Sequence, residues 1–138
     1  MILVGYQDVC CEFLRQHSEY AELPEACRTF GIWADDDTLV GAVAVHHCNE
    51  VNCFADIALL PGGWARGLLR ASLWYAFEQL KLRRLTFVVA ASNLQSIGLV
   101  EKLGAYREAT LQDGCLTGAV YIYCLRRNKC PKWSKLNG

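Results

Sequence analysis

The feature that most restricts the fold is a change of hydrophobic period at Pro61-Gly62-Gly63. Before this segment, short apolar runs rich in β-branched residues alternate with turn residues, which predicts strands joined as an antiparallel meander. After it, residues 64–80 carry apolar side chains at helical spacing, and strand and helix patterns then alternate. A chain of this order predicts an α/β fold with a mixed, mostly antiparallel sheet and helices on both faces.

In the first part of the chain, strands are predicted at residues 2–6, 28–34, 39–46 and 51–60. A helix over 9–17 follows the candidate N-cap Asp8, and 19–26 predicts one or two further helical turns interrupted by Pro24. Turns are expected at Asp35-Asp36-Asp37 and at Cys48-Asn49-Glu50.

In the second part, the helix over residues 64–80 precedes a short buried strand at 85–90. Ser92 or Asn93 is expected to cap the next helix, which ends at Gly104, a residue suited to a left-handed C-terminal cap. Strands at 106–111 and 116–125 then form a final hairpin around Asp113-Gly114. All of this fits one domain over residues 1–138.

Composition agrees with a packed globular domain, since 53% of the residues are hydrophobic and 20% are charged. No apolar run approaches the roughly 20 residues that a membrane helix needs. Residues 1–4 lack a basic leader and a long apolar stretch, so they do not resemble a signal peptide. We therefore expect a cytoplasmic protein that has no membrane partner.

Most of the eight cysteines lie in apolar or periodic stretches, where a free thiol packs as a small hydrophobic group. Without a secretory leader, reduced thiols are expected. The one cluster with metal-ligand chemistry is His46-His47-Cys48 with Cys53, and no CxxC pair accompanies it. Because adjacent strand residues point to opposite faces, no metal site is expected.

The net charge is zero, but the charges are unevenly distributed. Residues 1–60 contain ten acidic and two basic side chains, whereas residues 61–138 contain four acidic and twelve basic ones. This difference is either an incidental gradient on a solvated surface or the mark of one half that binds an anion and another that binds a cation.

A strand, a glycine segment and a helix follow one another from Ile57 to Leu68. The first turn of a helix offers unpaired N–H groups and the positive end of its dipole, which together favour a phosphate. Glycines allow the backbone to approach the anion, and Arg66 can add a charged contact. By itself this pattern is also typical of an ordinary turn before a helix.

A second motif lies at a fixed distance downstream, as Asn93-x-x-Ser96 followed by Glu101-Lys102-Leu103-Gly104. Together, the two motifs resemble the acetyl-CoA-binding core of the GNAT superfamily of N-acetyltransferases, from about residue 58 to residue 109. That family has a pyrophosphate loop of the form Gln/Arg-x-x-Gly-x-Gly/Ala. In this sequence Gly63 and Ala65 match the loop, whereas Leu60 replaces the leading Gln or Arg.

The resemblance implies a set of acetyl-CoA contacts. The backbone of Leu59 would bind the pantetheine arm, which lies along the strand like an added edge. The segment that cradles the pyrophosphate would consist of Gly62, Gly63, Trp64, Ala65, Arg66 and Gly67. Asn93 and Ser96 would contact the pantetheine or phosphate region, although Asn93 is also suited to a simple helix N-cap.

Transfer of an acetyl group to an amine requires that an ammonium first lose a proton, so a carboxylate base would help. In the family such bases come from the central strand or from the turn before it, which directs attention to Asp56 and Glu50. A carboxylate within a buried strand needs a partner or a cleft, which favours Asp56. A purely structural hydrogen bond or an exposed edge position is the alternative for Asp56.

The family often has a tyrosine, as the acid for the leaving thiolate, just before the Glu-Lys-Leu-Gly segment. Here Val100 stands at that position. Tyr106, Tyr121 and Tyr123 are the candidate substitutes, and each of them also fits a core or surface role.

The resemblance thus implies an acetyl-CoA-dependent N-acetyltransferase whose acceptor is a cationic primary amine on a protein or on a small molecule. The alternative is a degenerate member that binds CoA or a protein partner without turnover. Nucleic-acid binding through the basic end is disfavoured because aromatic residues are not interleaved there and the acidic half would repel phosphates.

Overall fold

The computed structural model describes residues 2–4, 7–18, 23–24, 26–34, 38–61 and 65–131. The strands are β1 Ile2–Val4, β2 Arg28–Trp33, β3 Leu39–His46, β4 Asn52–Leu59, β5 Arg84–Ala90, β6 Tyr106–Cys115 and β7 Gly118–Arg126. The helices are α1 Gln7–His17, α2 Ala65–Trp74 and α3 Leu94–Lys102, with a π-helical segment Tyr75–Gln79 after α2 and a 3₁₀ turn Arg127–Lys129 after β7.

The strands form one seven-stranded sheet in the order β1-β2-β3-β4-β5-β7-β6. Within the described residues, β4 and β5 are the only neighbours that run parallel, and every other neighbouring pair is antiparallel. A parallel pair needs a long crossover, and here the crossover contains α2. The predicted α/β fold class with a mixed, mostly antiparallel sheet is confirmed.

Side-chain alternation along β3 and β4 divides the core between the two faces of the sheet. Small residues face α1, where Ala42, Ala44 and Ala58 pack against Cys10, Phe13 and Leu14. The opposite face is larger and receives the apolar sides of α2 and α3, including Leu69, Leu73, Val100 and Leu103. Helices therefore cover both faces of the part of the sheet that contains β4.

Most predicted elements are present, and the final hairpin is the clearest difference. Its two-residue turn is Leu116-Thr117, since Cys115 pairs with Gly118. Asp113, with a φ of +53°, lies instead where the β6–β7 register shifts between Leu111 and Cys115. The turn expected at Asp113-Gly114 is therefore an irregularity within a longer β6, which local turn chemistry alone cannot distinguish from a hairpin end.

Two smaller differences concern helices. Helix α1 begins at Gln7, so Asp8 lies in its first turn and not at the N-cap. The helix predicted over residues 64–80 ends as the π-helical segment, where the carbonyl of Phe77 accepts a hydrogen bond from Arg127 Nη2. The turn at residues 35–37 and most of the helical turns at 19–26 lie outside the described residues; Leu23, Pro24 and Ala26 are not helical.

The expectation of reduced thiols is wrong at one pair, because Cys48 and Cys53 form a disulfide. The physical reason is local: the tight turn between β3 and β4 brings their Cα atoms to 4.1 Å, so the two sulfurs meet. The other six cysteines are free thiols, namely Cys10, Cys11, Cys27, Cys115, Cys124 and Cys130.

Candidate active site

The candidate site lies where the neighbouring strands β4 and β5 separate. The two strands pair at Asn52–Arg84, Cys53–Leu85 and Phe54–Thr86, and their ladder ends there. Strand β4 then continues to Leu59 and β5 to Ala90. On its other side β4 stays paired with β3 as far as Leu59. The result is a V-shaped opening in the middle of the sheet.

This opening exposes one main-chain edge of β4. Beyond the end of β4, Leu60 N–H donates to the carbonyl of Val40 on the β3 side, at 2.8 Å. In an antiparallel pair, main-chain groups point alternately toward and away from the partner strand. Ile57 and Leu59 therefore direct their N–H and C=O groups away from β3, toward the opening.

A wide cleft of about 470 Å³ adjoins this edge. Its walls are the end of β4 and helix α3, with His17 of α1 at one side and Lys102 at another. Gly98 of α3 lines it, and a Cβ at Gly98 would meet no atom within 4 Å. This volume lies in the range of pockets that bind small molecules and cofactors.

The electrostatics of the opening favour an anion. The first turns of α2 and α3 contain no acidic residue, although the positive end of a helix dipole ordinarily attracts one. Arg66 lies exposed in the first turn of α2, and Lys102 lines the wide cleft. A ligand that carries phosphate groups in the wide cleft would therefore meet the N-terminus of α3 and Lys102.

Asn93 caps α3, since its Oδ1 accepts a hydrogen bond from Ser96 N–H at 3.1 Å. The capping role that the sequence left open for Asn93 is thus present. Both residues also line the wide cleft and a second, narrow cleft between β4 and β5. Their contact with a cosubstrate stays a prediction.

The narrow cleft, of about 30 Å³, is lined by Asp56 of β4 together with Ser18 and residues of β5 and α3. Asp56 Oδ2 lies 2.6 Å from Nε2 of His46, which is 8% exposed. Nδ1 of His46 in turn lies 2.5 Å from Nδ1 of His47, which is exposed at the surface. The three side chains form a continuous series from the cleft to solvent.

Thiols lie close to this series on the α1 side. The Sγ atoms of Cys11 and Cys27 are 3.9 Å apart. Burial, then Cys11, and to a smaller extent the charge of Asp56 raise the pKa of the Cys27 thiol to about 11. Cys27 is therefore a neutral thiol near pH 7 and adds no negative charge beside Asp56.

The remaining predicted site residues have different positions. Glu50 is exposed in the turn before β4, and it is not among the described residues that line the narrow and wide clefts. Leu59 lines the wide cleft, as the proposed pantetheine contact requires. Ala65, Arg66 and Gly67 form the first turn of α2. Gly62, Gly63 and Trp64 lie outside the described residues.

None of the three candidate tyrosines is among the described residues that line the two clefts. Tyr123 is buried and its hydroxyl donates to Glu101 at 3.3 Å. The hydroxyl of Tyr106 donates to Glu108 at 3.4 Å, and Tyr121 packs beneath the guanidinium of Arg107.

Sequence reasoning missed two features of the site. His46 was considered only as a metal ligand, although the predicted hairpin of β3 and β4 already brings it near Asp56 on one face. Gly98 was passed over, although a glycine inside a helix costs about 1 kcal/mol relative to alanine and so indicates another requirement. Both signals were present in the sequence.

The described residues contain neither a metal-binding cluster nor a membrane-spanning helix. No group of three or more His, Cys, Asp or Glu side chains in that part of the chain is placed to hold a metal ion. No helix among the same residues has both the length and the apolar composition to cross a membrane.

The sequence of this chain matches a known protein family. The profile of the acetyltransferase (GNAT) domain family matches residues 7–106. A protein of Bacillus subtilis (strain 168), YdaF, described as a candidate ribosomal N-acetyltransferase, is 28% identical over 96 residues, which cover 62% of this chain. The chain spans about half, 50%, of the length of that relative.

Solved structures share the fold. A mutant of the spermidine N-acetyltransferase SpeG from Vibrio cholerae superposes with a TM-score of 0.75 at 18% identity, covering 98% of each chain. Mutant forms of the spermidine/spermine N-acetyltransferase SpeG from the same organism give 0.73 at 20% identity, covering 94% of this chain and 95% of theirs. The matched profile spans most of the chain, so the chain belongs to the GNAT acetyltransferase family.

Proposed function

We propose that this protein transfers the acetyl group of acetyl-CoA to a primary amine that is cationic in solution. The observation that carries the proposal is the free edge of β4 at Ile57 and Leu59, which faces a cleft of about 470 Å³. A cosubstrate with amide groups along a flexible arm can pair with such an edge as an added strand would.

The residues at the opening fit acetyl-CoA. The edge of β4 supplies hydrogen-bonding groups for the pantetheine amides, and Gly98 leaves open space beside it. The first turn of α2, with Arg66, and Lys102 of α3 supply positive charge for the phosphates. Bound there, acetyl-CoA would supply an activated acetyl thioester.

Asp56 is proposed as the base. An ammonium N–H bond breaks, the proton moves to the Asp56 carboxylate, and the neutral amine has a lone pair with which to attack the thioester carbonyl. The new N–C bond replaces the C–S bond, and the nitrogen loses a second N–H proton as the amide forms. The sulfur leaves as a thiolate that takes up one proton, and the proton on Asp56 returns to solvent, so that amide, CoA thiol and one released proton balance the ammonium and the thioester. Holding amine and thioester together in a cleft supplies much of the rate, since it removes the entropy cost of their meeting.

The proton for the thiolate can come from water, because a thiolate is a tolerable leaving group. Within the described residues, no tyrosine side chain lines either cleft to serve as the acid. The same observation favours the second candidate function, in which the domain binds CoA or a partner without turnover. The two differ in a single measurable quantity, the release of CoA thiol in the presence of an amine.

The acceptor is proposed to be a polyamine or a protein amine. The first 60 residues carry a charge balance of −8, which would attract a cation, and the rest of the chain carries +8. The solved neighbours are spermidine N-acetyltransferases, and the curated relative is described as a candidate ribosomal N-acetyltransferase, which supports testing both acceptor classes.

The proposal is tested by calorimetric titration with acetyl-CoA and by thiol release with a panel of amines. We expect binding, and turnover with spermidine or with lysine-rich peptides but not with acidic or neutral amines. Because exposed charges are screened over roughly 8 Å at physiological ionic strength, kcat/KM should fall as salt rises. Binding without thiol release for any amine would support the second candidate; no binding would refute both.

A further inference from the structure

His46 and His47 have no role in the proposed function so far, yet they contact its base. His46 Nε2 lies 2.6 Å from Asp56 Oδ2, and the side chains of this pair are only 10% and 12% exposed. Among the described residues, no hydrogen bond is made by the other carboxylate oxygen, Oδ1, and Asp56 lines the narrow cleft. One oxygen of Asp56 is thus held by His46, and the same side chain borders a cleft.

The two contacts define the tautomers of both histidines. An ionised carboxylate only accepts hydrogen bonds, so His46 Nε2 must carry the hydrogen that lies toward Asp56. Neutral His46 then has a bare Nδ1, and the 2.5 Å contact between the two Nδ1 atoms requires that His47 Nδ1 donate. In this way His47 selects the tautomer of His46 that can hold the carboxylate.

The turn is built to keep His47 in place. His47 has a φ of +48°, a left-handed conformation that residues other than glycine seldom adopt. Next to it, Asn49 Oδ1 accepts hydrogen bonds from Val51 N–H and Asn52 N–H, and the Cys48–Cys53 disulfide closes the turn. The ring of Phe54 lies 6.3 Å from each histidine ring, stacked on His46 and edge-on to His47.

We propose that His46 and His47 are positioning residues that hold Asp56 Oδ2 and thereby present Oδ1 to the amine, an inference that rests on the proposed function. His46 acts through its Nε2–H, and His47 acts through its Nδ1–H on His46. Neither residue takes the amine proton itself. This arrangement follows the logic by which a third group orients the base of a catalytic triad.

Matched variants separate positioning from mere packing. In His46→Gln the side-chain N–H can reach the place of Nε2, whereas His46→Leu has no donor. In His47→Asn the amide can replace Nδ1–H and tolerates a positive φ, whereas His47→Gly keeps the backbone but loses the donor. We expect kcat to fall about 10- to 100-fold in the Leu and Gly variants and by less than about threefold in the Gln and Asn variants. The KM for acetyl-CoA should change in none of them.

Equal rates in His46→Gln and His46→Leu, whether both high or both low, would overturn the proposal. Melting temperatures identify any of the four variants that is unfolded. If a variant is unfolded, the histidine tautomers of wild type test the proposal instead.

The tautomers are measured in wild type without any turnover, by long-range ¹H–¹⁵N correlation of the histidine rings. We expect His46 to carry its hydrogen on Nε2 and His47 on Nδ1 at neutral pH, and His46 to lose this preference in His47→Gly, where the donor to its Nδ1 is removed. Mixed tautomers in wild type would refute the positioning role. Absence of thiol release from wild type would instead refute the proposed function, so the two failures are distinguishable.

Discussion

The two ends of β4 differ in what they pair with. At its start, β4 lies between β3 and β5, and Thr86 Oγ1 of β5 donates to Asn52 Oδ1 at 2.7 Å. The disulfide between Cys48 and Cys53 closes the same end. Toward Leu59, β4 pairs with β3 alone among the described strands, and its other edge faces a cleft.

This contrast gives the two ends of one strand different expected roles, one in stability and one in the proposed binding. A strand that is paired on both sides leaves no main-chain hydrogen-bonding group for a ligand. A strand with one unpaired edge inside the sheet can offer its main-chain groups to a ligand. The closed end (residues 48–54 with their β5 partners) holds the sheet together. The open end (residues 55–59) has the free edge, Asp56 and the cleft. Changes at the open end should affect turnover and affinity, and changes at the closed end should affect stability.

The largest effect is expected for Asp56→Asn at the open end. The substitution keeps the size of the side chain but removes the charge that accepts a proton, so kcat should fall by about 100-fold or more, while acetyl-CoA affinity stays within a factor of about two. Steady-state kinetics and calorimetry measure the two quantities. Asp113→Asn, at a distant position in β6 with a positive φ that Asn tolerates, is the matched control. Equal loss in both variants would contradict the assignment.

The next effect is expected for Cys48→Ser at the closed end. Loss of a cross-link over such a short loop should lower the free energy of unfolding by about 2 kcal/mol in the chain-entropy account. Denaturant unfolding measures it, and wild type in a strong reductant should lose a similar amount. The control is Cys115→Ser, which removes a free thiol. Acetyl-CoA affinity should not change, and a large loss of affinity would show that the two ends are coupled.

A smaller effect is expected for Gly98 at the open end. Because a Cβ there meets no protein atom within 4 Å, Gly98→Ala should stabilise the fold by about 0.5 to 1 kcal/mol through helix propensity. Gly98→Leu should fold equally well but fill the wide cleft, weakening acetyl-CoA binding about tenfold, which is about 1.4 kcal/mol. Calorimetry and thermal unfolding test the pair. Unchanged affinity in Gly98→Leu would remove this wall of the cleft from the site.

The smallest effect is expected for Glu108→Gln, beyond the closed end. Both oxygens of Glu108 accept hydrogen bonds from Arg84, at 2.8 and 3.0 Å, and this partner lowers the pKa of the Glu108 carboxyl. A lowered folded-state pKa adds stability at neutral pH that is lost as pH falls through that pKa. Since the pair is partly exposed, we expect less than about 1 kcal/mol at pH 7.

Unfolding free energies of wild type and Glu108→Gln, followed from pH 7 to pH 3, should therefore converge at the acid end. Glu78→Gln, at an exposed position of the π-helical segment, is the control. A difference that persists at pH 3 would mean that packing of the side chain, and not its charge, stabilises the fold.

Much of the fold could be predicted because its signals are local. Strand β3 was predicted at the bounds that the structure has, and the cap of α3 by Asn93 and the left-handed Gly104 were both anticipated. Hydrophobic period, turn residues and helix caps act over a few residues, so a single segment contains the whole signal. The hairpin end at Leu116-Thr117 was mispredicted because its register depends on the facing strand.

The candidate site likewise has features that the sequence predicts and features that it does not. The residue types at Leu59, Asn93, Ser96 and Asp56 follow from the order of elements and from the family motif. The point where the β4–β5 ladder ends, at Phe54–Thr86, does not follow from the sequence pattern. It depends on how two strands some thirty residues apart twist relative to each other and on the helices packed against them. The partner of Asp56 is likewise a matter of cross-strand register. The sequence by itself thus determined which elements and which chemical groups are present. The tertiary structure alone decided where the sheet opens and which histidine holds the carboxylate, because long-range pairing is set by packing of the whole sheet and not by any one segment.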